Sequence, residues 1–437
     1  MQRAAKRHAT GRTLSFGSVL LLGINGIIGS GIFLLPGTLY QQSGKWSVLA
    51  LIAAGLVTTM IALCYAAMAS KIDDDGGAWV YADRAFGRFL GFQTGWFGWF
   101  LGVITIAAEI TAFLTTLGGL VPAVKTRPVY LAVALGILAL LAILNLVGSS
   151  LLTFIDNLSS VLKIGIIVVF VGAAGFFISR HSFELPSAGS NGGGFSQSFA
   201  ATFYMYTGFS FLPVAAKKMA NPEKTLPRAL LIVMAIVMVV YTLTDLATMA
   251  ILGGALSGNA LPVANAFAAV VGTWGKIVVL LGMLVSILGV AIAVSFDTPV
   301  EMASLATEKE LLPAIFGRTN KSGTPIIAVL VTIGLAALLI LSGSYLFLVN
   351  LIVLAAFLQY ITTIFSWFKL RHDPTLPAGM KMPGGMLFPI IGLLVILYLM
   401  TSLAWTTWLI AVGMAAVGTI VYATDDRRNK PKKKIAG

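Results

Sequence analysis

Two glycines and a serine, Gly29-Ser30-Gly31, interrupt a long apolar run near the start of the chain. Gly and Ser are poor helix formers, so a helix through this run is weakened at its middle. Unwinding there frees amides and carbonyls. Freed amides at the start of one half-helix suit a carboxylate, and freed carbonyls on the other half accept from an ammonium, so one break can hold both ends of a zwitterion. Gly26, just upstream, is equally explained by close helix packing through small residues. A comparable interruption, Tyr206-Thr207-Gly208-Phe209-Ser210 followed by Pro213, stands in a second apolar run.

Three ionisable side chains fall well inside such runs: Glu109, Lys163 and Asp245. Lys163 lies about 9 to 15 Å into its helix at 1.5 Å per residue, deep enough to need carbonyl partners or to lose its proton, unless it snorkels to the interface. Glu109 is suited to contact a cationic substrate group or carry a proton; a neutral carboxyl hydrogen-bonded inside a bundle is the alternative. Asp245 receives no role. Tyr241, four residues before it, shares its helix face.

Enzyme chemistry finds little support. The three histidines, His8, His181 and His372, lie outside the apolar runs without metal-ligand spacing, and no Gly-x-x-x-x-Gly-Lys phosphate loop occurs. The single cysteine, Cys64, allows no intrachain disulfide, and no metal or other cofactor is expected. A channel or receptor is the different-class alternative, and it lacks support: no ring-forming repeat or filter sequence stands out.

The elements that must carry these residues are membrane helices. Of 437 residues 58% are hydrophobic and only 10% charged, against about 25% charge in soluble domains. Cutting the apolar runs at turn residues predicts an all-α integral membrane protein of twelve spans: 16–40, 46–70, 89–119, 128–147, 153–179, 195–216, 227–254, 273–305, 324–342, 345–370, 383–401 and 403–423. The run from Ser322 to Phe368 breaks at Ser342-Gly343-Ser344, and that from Met382 to Thr424 near Thr401. A cleaved signal peptide does not fit, because the first run is too long and leads into further spans.

The net charge of +13 describes orientation instead of a nucleic-acid partner. With an even number of spans the loops fall into two classes, holding 23 and 5 of the basic residues, with Lys163 in neither. The richer class contains both termini, which are therefore expected on the cytoplasmic side of the plasma membrane. The tail from Arg427 to Lys434 reads as a solvated end, with contact to anionic lipid as a lesser alternative. The organisation is a cytoplasmic N-terminus (1–14), a five-span unit (15–180), a second (195–371), two further spans (383–424) and a basic tail (425–437). The interrupted spans 1 and 6 are five apart, an odd lag that would invert the second unit relative to the first, and paired interrupted helices mark the site of a secondary transporter.

Four stretches then resemble the amino acid-polyamine-organocation superfamily of transporters. Gly29-Ser30-Gly31-Ile32-Phe33-Leu34-Leu35-Pro36-Gly37 is similar to its first-helix signature. Asp75-Gly76-Gly77-Ala78-Trp79-Val80-Tyr81, with Ala85-Phe86-Gly87 and Gly91-Phe92-Gln93-Thr94-Gly95-Trp96, resembles its loop into span 3. Asn221-Pro222-Glu223-Lys224-Thr225-Leu226-Pro227-Arg228-Ala229 matches its loop after span 6, and Leu312-Pro313 with Gly323-Thr324-Pro325 its loop after span 8.

The resemblance implies the leucine-transporter fold, a five-plus-five inverted repeat with two extra helices, moving an amino acid by alternating access. It implies that Gly29, Ser30 and Gly31 hold the substrate carboxylate, and that carbonyls near Ile27 and around Tyr206 and Gly208 hold the amino group. Tyr204 or Tyr206 would cover the substrate. Lys163 would stand where sodium-coupled relatives bind their ion, near Ser295 and Thr298, so that no sodium is expected; substrate exchange or a proton would supply the drive. Tyr241 matches an aromatic hydroxyl position of neutral amino acid exchangers. A neutral amino acid is favoured, with a cationic amino acid or polyamine as alternative because of Glu109. The chain departs from the pattern toward the end of span 8, where Asp297 and Glu301 stand near the place of a usual basic residue.

Overall fold

The computed structural model describes residues 15–72, 77–147, 150–180, 194–214, 219, 221–308, 310–342 and 344–424. The basic N-terminus, Asp75-Gly76, Lys217, Lys218, Lys309 and the basic tail lie outside the described residues. Regular structure among the described residues is helical, apart from isolated bridge residues such as the pair Thr319 and Pro325.

The first apolar run folds as three helices, α1 (Phe16–Ile27), α2 (Gly31–Leu34) and α3 (Pro36–Ser43). Ser15 caps α1 by accepting from the Ser18 amide at 3.2 Å. The helix stops because Ile28 turns extended, at φ −77° and ψ 98°. Helical bonding resumes when Phe33 and Leu34 donate to the Ser30 carbonyl, and Pro36 starts α3 where no amide is needed. The break thus falls at the Gly-Ser cluster.

Next come α4 (Ser47–Ala69), α5 (Ala78–Phe86), α6 (Arg88–Leu117), α7 (Arg127–Val147) and α8 (Ser150–Arg180). The second interrupted run forms α9 (Phe195–Tyr206), a 3-10 turn (Thr207–Ser210) and α10 (Phe211–Val214). Then follow α11 (Pro222–Leu252), α12 (Pro262–Val271), α13 (Thr273–Thr307), α14 (Ile326–Ser342), α15 (Tyr345–Leu370), α16 (Leu387–Met400) and α17 (Trp405–Ala423). Among the described residues seven helical stretches are long and apolar enough to cross a membrane by length and composition, and five more are shorter and apolar. The helices α5 and α12 are additions to the sequence expectation. Gly77 (φ 61°) and Gly87 (φ 89°) flank α5, and Gly272 (φ 83°) ends α12, conformations that stop a helix at little cost only for glycine.

The core runs between α6, α13 and α15, of which α6 and α15 bury most of their residues and α13 about half, while α7 and α17 present Leu135, Leu140, Ile143, Val412 and Ile420 outward. Such apolar outer faces are what lipid accepts. Glycines on α6 let α13 lie close: a Cβ at Gly95 would come within 2.6 Å of Leu305, one at Gly98 would collide with the Glu301 carboxylate, and one at Gly102 with the Thr298 hydroxyl.

A cleft at two broken helices

The two interruptions meet. A Cβ on Gly208 would collide with the Gly26 carbonyl oxygen and lie 3.0 Å from Ile27 Cα, so the 3-10 turn packs backbone to backbone on the end of α1. Glycine is required there by close approach. Tyr241 on α11 ties both halves together, its hydroxyl donating to the Ile27 carbonyl at 3.0 Å and to the Met205 carbonyl at 2.8 Å.

On the other side of the break stands Glu109, carried by α6 and 1% exposed. Its Oε1 accepts from the Ser30 amide at 3.3 Å, from Ser30 Oγ at 3.0 Å and from the Tyr204 hydroxyl at 3.0 Å. The Tyr345 hydroxyl, from the start of α15, lies 3.0 Å from Ser30 Oγ. Gly29 and Gly31 make room for this group: a Cβ on the first would sit 3.0 Å from Glu109 Oε1, and on the second 2.9 Å from Met205. Glu109 Oε2 is buried and has no hydrogen-bond partner, although buried polar atoms are nearly always satisfied. A carboxylate oxygen in that position is a ready acceptor for an incoming N–H group.

Lys163 on α8 is fully buried, and its ammonium donates to Asn25 Oδ1 at 2.9 Å and to the Asn25 carbonyl at 3.3 Å. It therefore grips the last turn of α1 directly before the break. The hydroxyls expected beside it turn elsewhere. Ser295 Oγ donates to the Ile292 carbonyl and accepts from Asn145 Nδ2, and Thr298 Oγ1 donates to the Val294 carbonyl. Of the two tyrosines on α9, Tyr204 faces the break, while Tyr206 sends its hydroxyl to the Leu51 carbonyl of α4 at 3.1 Å.

A cavity of about 640 Å³ reaches the break, lined there by Gly26, Ile27, Gly29, Gly31, Glu109 and Tyr204. It extends along α6 and α13 past Thr298 and Glu301 to Glu308. Asn25, Tyr345 and the Met205 carbonyl were not singled out in the sequence. Asn25 had a legible signal, an amide in an apolar helix beside the break; Tyr345 had none, since it joins Ser30 across 315 positions.

A family model described as amino acid permease matches residues 14–423. The chain belongs to the amino acid permease family. Its relatives are transporters, not enzymes, and they place this permease in the amino acid-polyamine-organocation superfamily. It is 28% identical to the methylthioribose transporter of Bacillus subtilis, over 97% of this chain and 95% of that one. The branched-chain amino acid permease BcaP of the same organism is 25% identical, over 96% and 94% of the two chains. Its serine/threonine exchanger SteT is 28% identical, over 80% and 82%. The permease is thus similar over four fifths or more of its length to transporters of amino acids and a related small molecule.

Proposed function

We propose that this permease is a sodium-independent secondary active amino acid transporter that works by alternating access. The observation that carries the reading is the meeting of two interrupted helices at one cavity, with the Ser30 amide and hydroxyl on one side and the Ile27 and Met205 carbonyls on the other. Irregular backbone at membrane depth is tolerated where it lines a cavity, and paired broken helices hold the substrate of such transporters. The substrate carboxylate takes the Ser30 side, exchanging places with the Glu109 oxygen there. The amino group takes the carbonyl side, and Tyr204 covers the pair. Lys163, bonded to the end of α1, supplies a fixed or titrating positive charge in place of sodium, so that drive comes from substrate exchange or a proton.

In this reading the chain spans the plasma membrane twelve times with both termini cytoplasmic. Spans 1 to 5 and 6 to 10 form an inverted repeat, and α16 and α17 stand outside it. The cavity then opens to the cytoplasm, because Glu308 precedes a loop of the basic class. A neutral side chain is favoured, in keeping with the branched-chain and serine/threonine names of two relatives. Glu109, with its free Oε2, favours a cationic amino acid as the second reading.

Purified protein in liposomes, offered a panel of labelled amino acids and amines with and without sodium, proton and counter-substrate gradients, tests this. Uptake of at least one amino acid in sodium-free buffer is expected. A strict sodium requirement would remove the role given to Lys163, and failure to move any amino acid or amine would overturn the reading.

A further inference from the structure

The far half of the cavity has its own chemistry. On α13, Asp297, Glu301, Ser304 and Glu308 follow at spacings of four, three and four, the repeat of a single helix face, and all four line the cavity. With Glu109 the described lining residues hold four carboxylates and no Lys, Arg or His. Across from this face stand two further polar groups. Tyr65 of α4, 1% exposed, lines the cavity with a hydroxyl that has no hydrogen-bond partner. Gln359 of α15, 6% exposed, lines it too. Glu301 Oε1 and Gln359 Nε2 both reach the space above Gly98, where a Cβ would strike each of them. The Tyr65 ring is fixed edge-on to Phe209 and Tyr360, at centroid distances of 5.3 and 6.0 Å, so its hydroxyl is held in place.

From this arrangement we infer a second binding site, centred on the Glu301 carboxylate with Tyr65, that takes an alkylammonium or guanidinium group entering through the open end of the cavity. Such a group brings several N–H donors and no acceptor, the complement of the Glu301 carboxylate and the Tyr65 phenol oxygen. An acidic cleft also concentrates cations at its mouth. The site is separate from the break. Gly98 and Glu109 are eleven residues apart on α6, about 16 Å along the axis, further than one amino acid spans. The inference rests on the transporter reading for its purpose, as a station for a cationic ligand on the side where the cavity opens, but its binding chemistry stands apart from that reading.

Cadaverine, a diamine without a carboxylate, is the probe. Titrated calorimetrically into purified wild-type protein it should bind saturably, with leucine and calcium ion failing to compete. Glu301→Gln should weaken cadaverine binding about tenfold or more, as loss of a charge partner in a cleft does, while Glu301→Asp retains most of it. Glu109→Gln should weaken it less than Glu301→Gln does, since that carboxylate stands at the break, about 16 Å away along α6. Elution of Glu301→Gln as a monodisperse peak with the wild-type melting profile shows that the variant is folded. No saturable binding, equal loss in Glu301→Gln and Glu109→Gln, or displacement by leucine would overturn the inference. Amino acid uptake without cadaverine binding defeats this site alone; cadaverine binding without uptake of any amino acid defeats the transporter reading and leaves the site.

Discussion

Lys163 and Glu109 hold the break from opposite sides, one through Asn25 and the other through Ser30. Lys163→Ala would remove two charge-assisted hydrogen bonds to Asn25, a loss of about 1–3 kcal/mol. Uptake at least tenfold below wild type at every pH is the expected outcome, about 1.4 kcal/mol per decade of rate, and wild-type uptake at all pH values would refute the coupling role. The two tyrosines of α9 separate in the same way. Tyr204→Phe removes a hydrogen bond to Glu109, about 0.5–1.5 kcal/mol, and should raise KM several-fold. Tyr206→Phe loses a bond to Leu51 and should lower the melting temperature with a smaller change in KM. Initial rates across substrate concentrations, paired with thermal unfolding, distinguish the two. The sequence showed both tyrosines but not which one meets the break: two positions apart in α9 they point to different sides, and how α9 packs between Ser30 and α4 decides which side is which.

Among elements, the contact between the end of α1 and the 3-10 turn after α9 is the tightest constraint on the site. Gly208→Ala places a methyl group against the Gly26 carbonyl, which as backbone cannot rotate away. Overpacking of this kind costs about 1–3 kcal/mol, and here it also pries apart the two broken helices. Uptake near background with a lowered melting temperature is expected; a fully active Gly208→Ala would contradict the close approach. Gly102→Ala on α6 meets the β-branched Thr298 of α13 and should likewise lower the melting temperature. The interruptions themselves were legible, since a Gly-Ser cluster weakens a helix wherever the helix lies. The short helices α5 and α12 were not. Their positions depend on how loops fold back over the bundle, and a ten-residue helix carries too little periodicity to stand out from loop sequence.

For the whole molecule, the loop charges make orientation a measurable property. Cysteines introduced singly at Lys125 and Gly437, in cells exposed to a membrane-impermeant maleimide, should label at the first position and not at the second. Cys64 is buried, so background labelling will be low. Labelling of Gly437→Cys in intact cells would invert the proposed topology.

Composition and the placing of charges were enough to identify a helical membrane protein, to divide its apolar runs and to find the two interruptions, because each depends on local propensity and on the avoidance of charge in lipid. The resemblance in the first run and in three of the loops pointed to the family that residues 14–423 match. Only the tertiary structure decided that Glu109 reaches the Ser30 amide, that Lys163 is bonded to Asn25, and that Asp297 and Glu301 share a cavity with Tyr65 and Gln359. Those pairings join residues tens to hundreds of positions apart. They arise from helix crossings set by small residues such as Gly98 and Gly102, where the absence of a side chain matters as much as the side chains brought together.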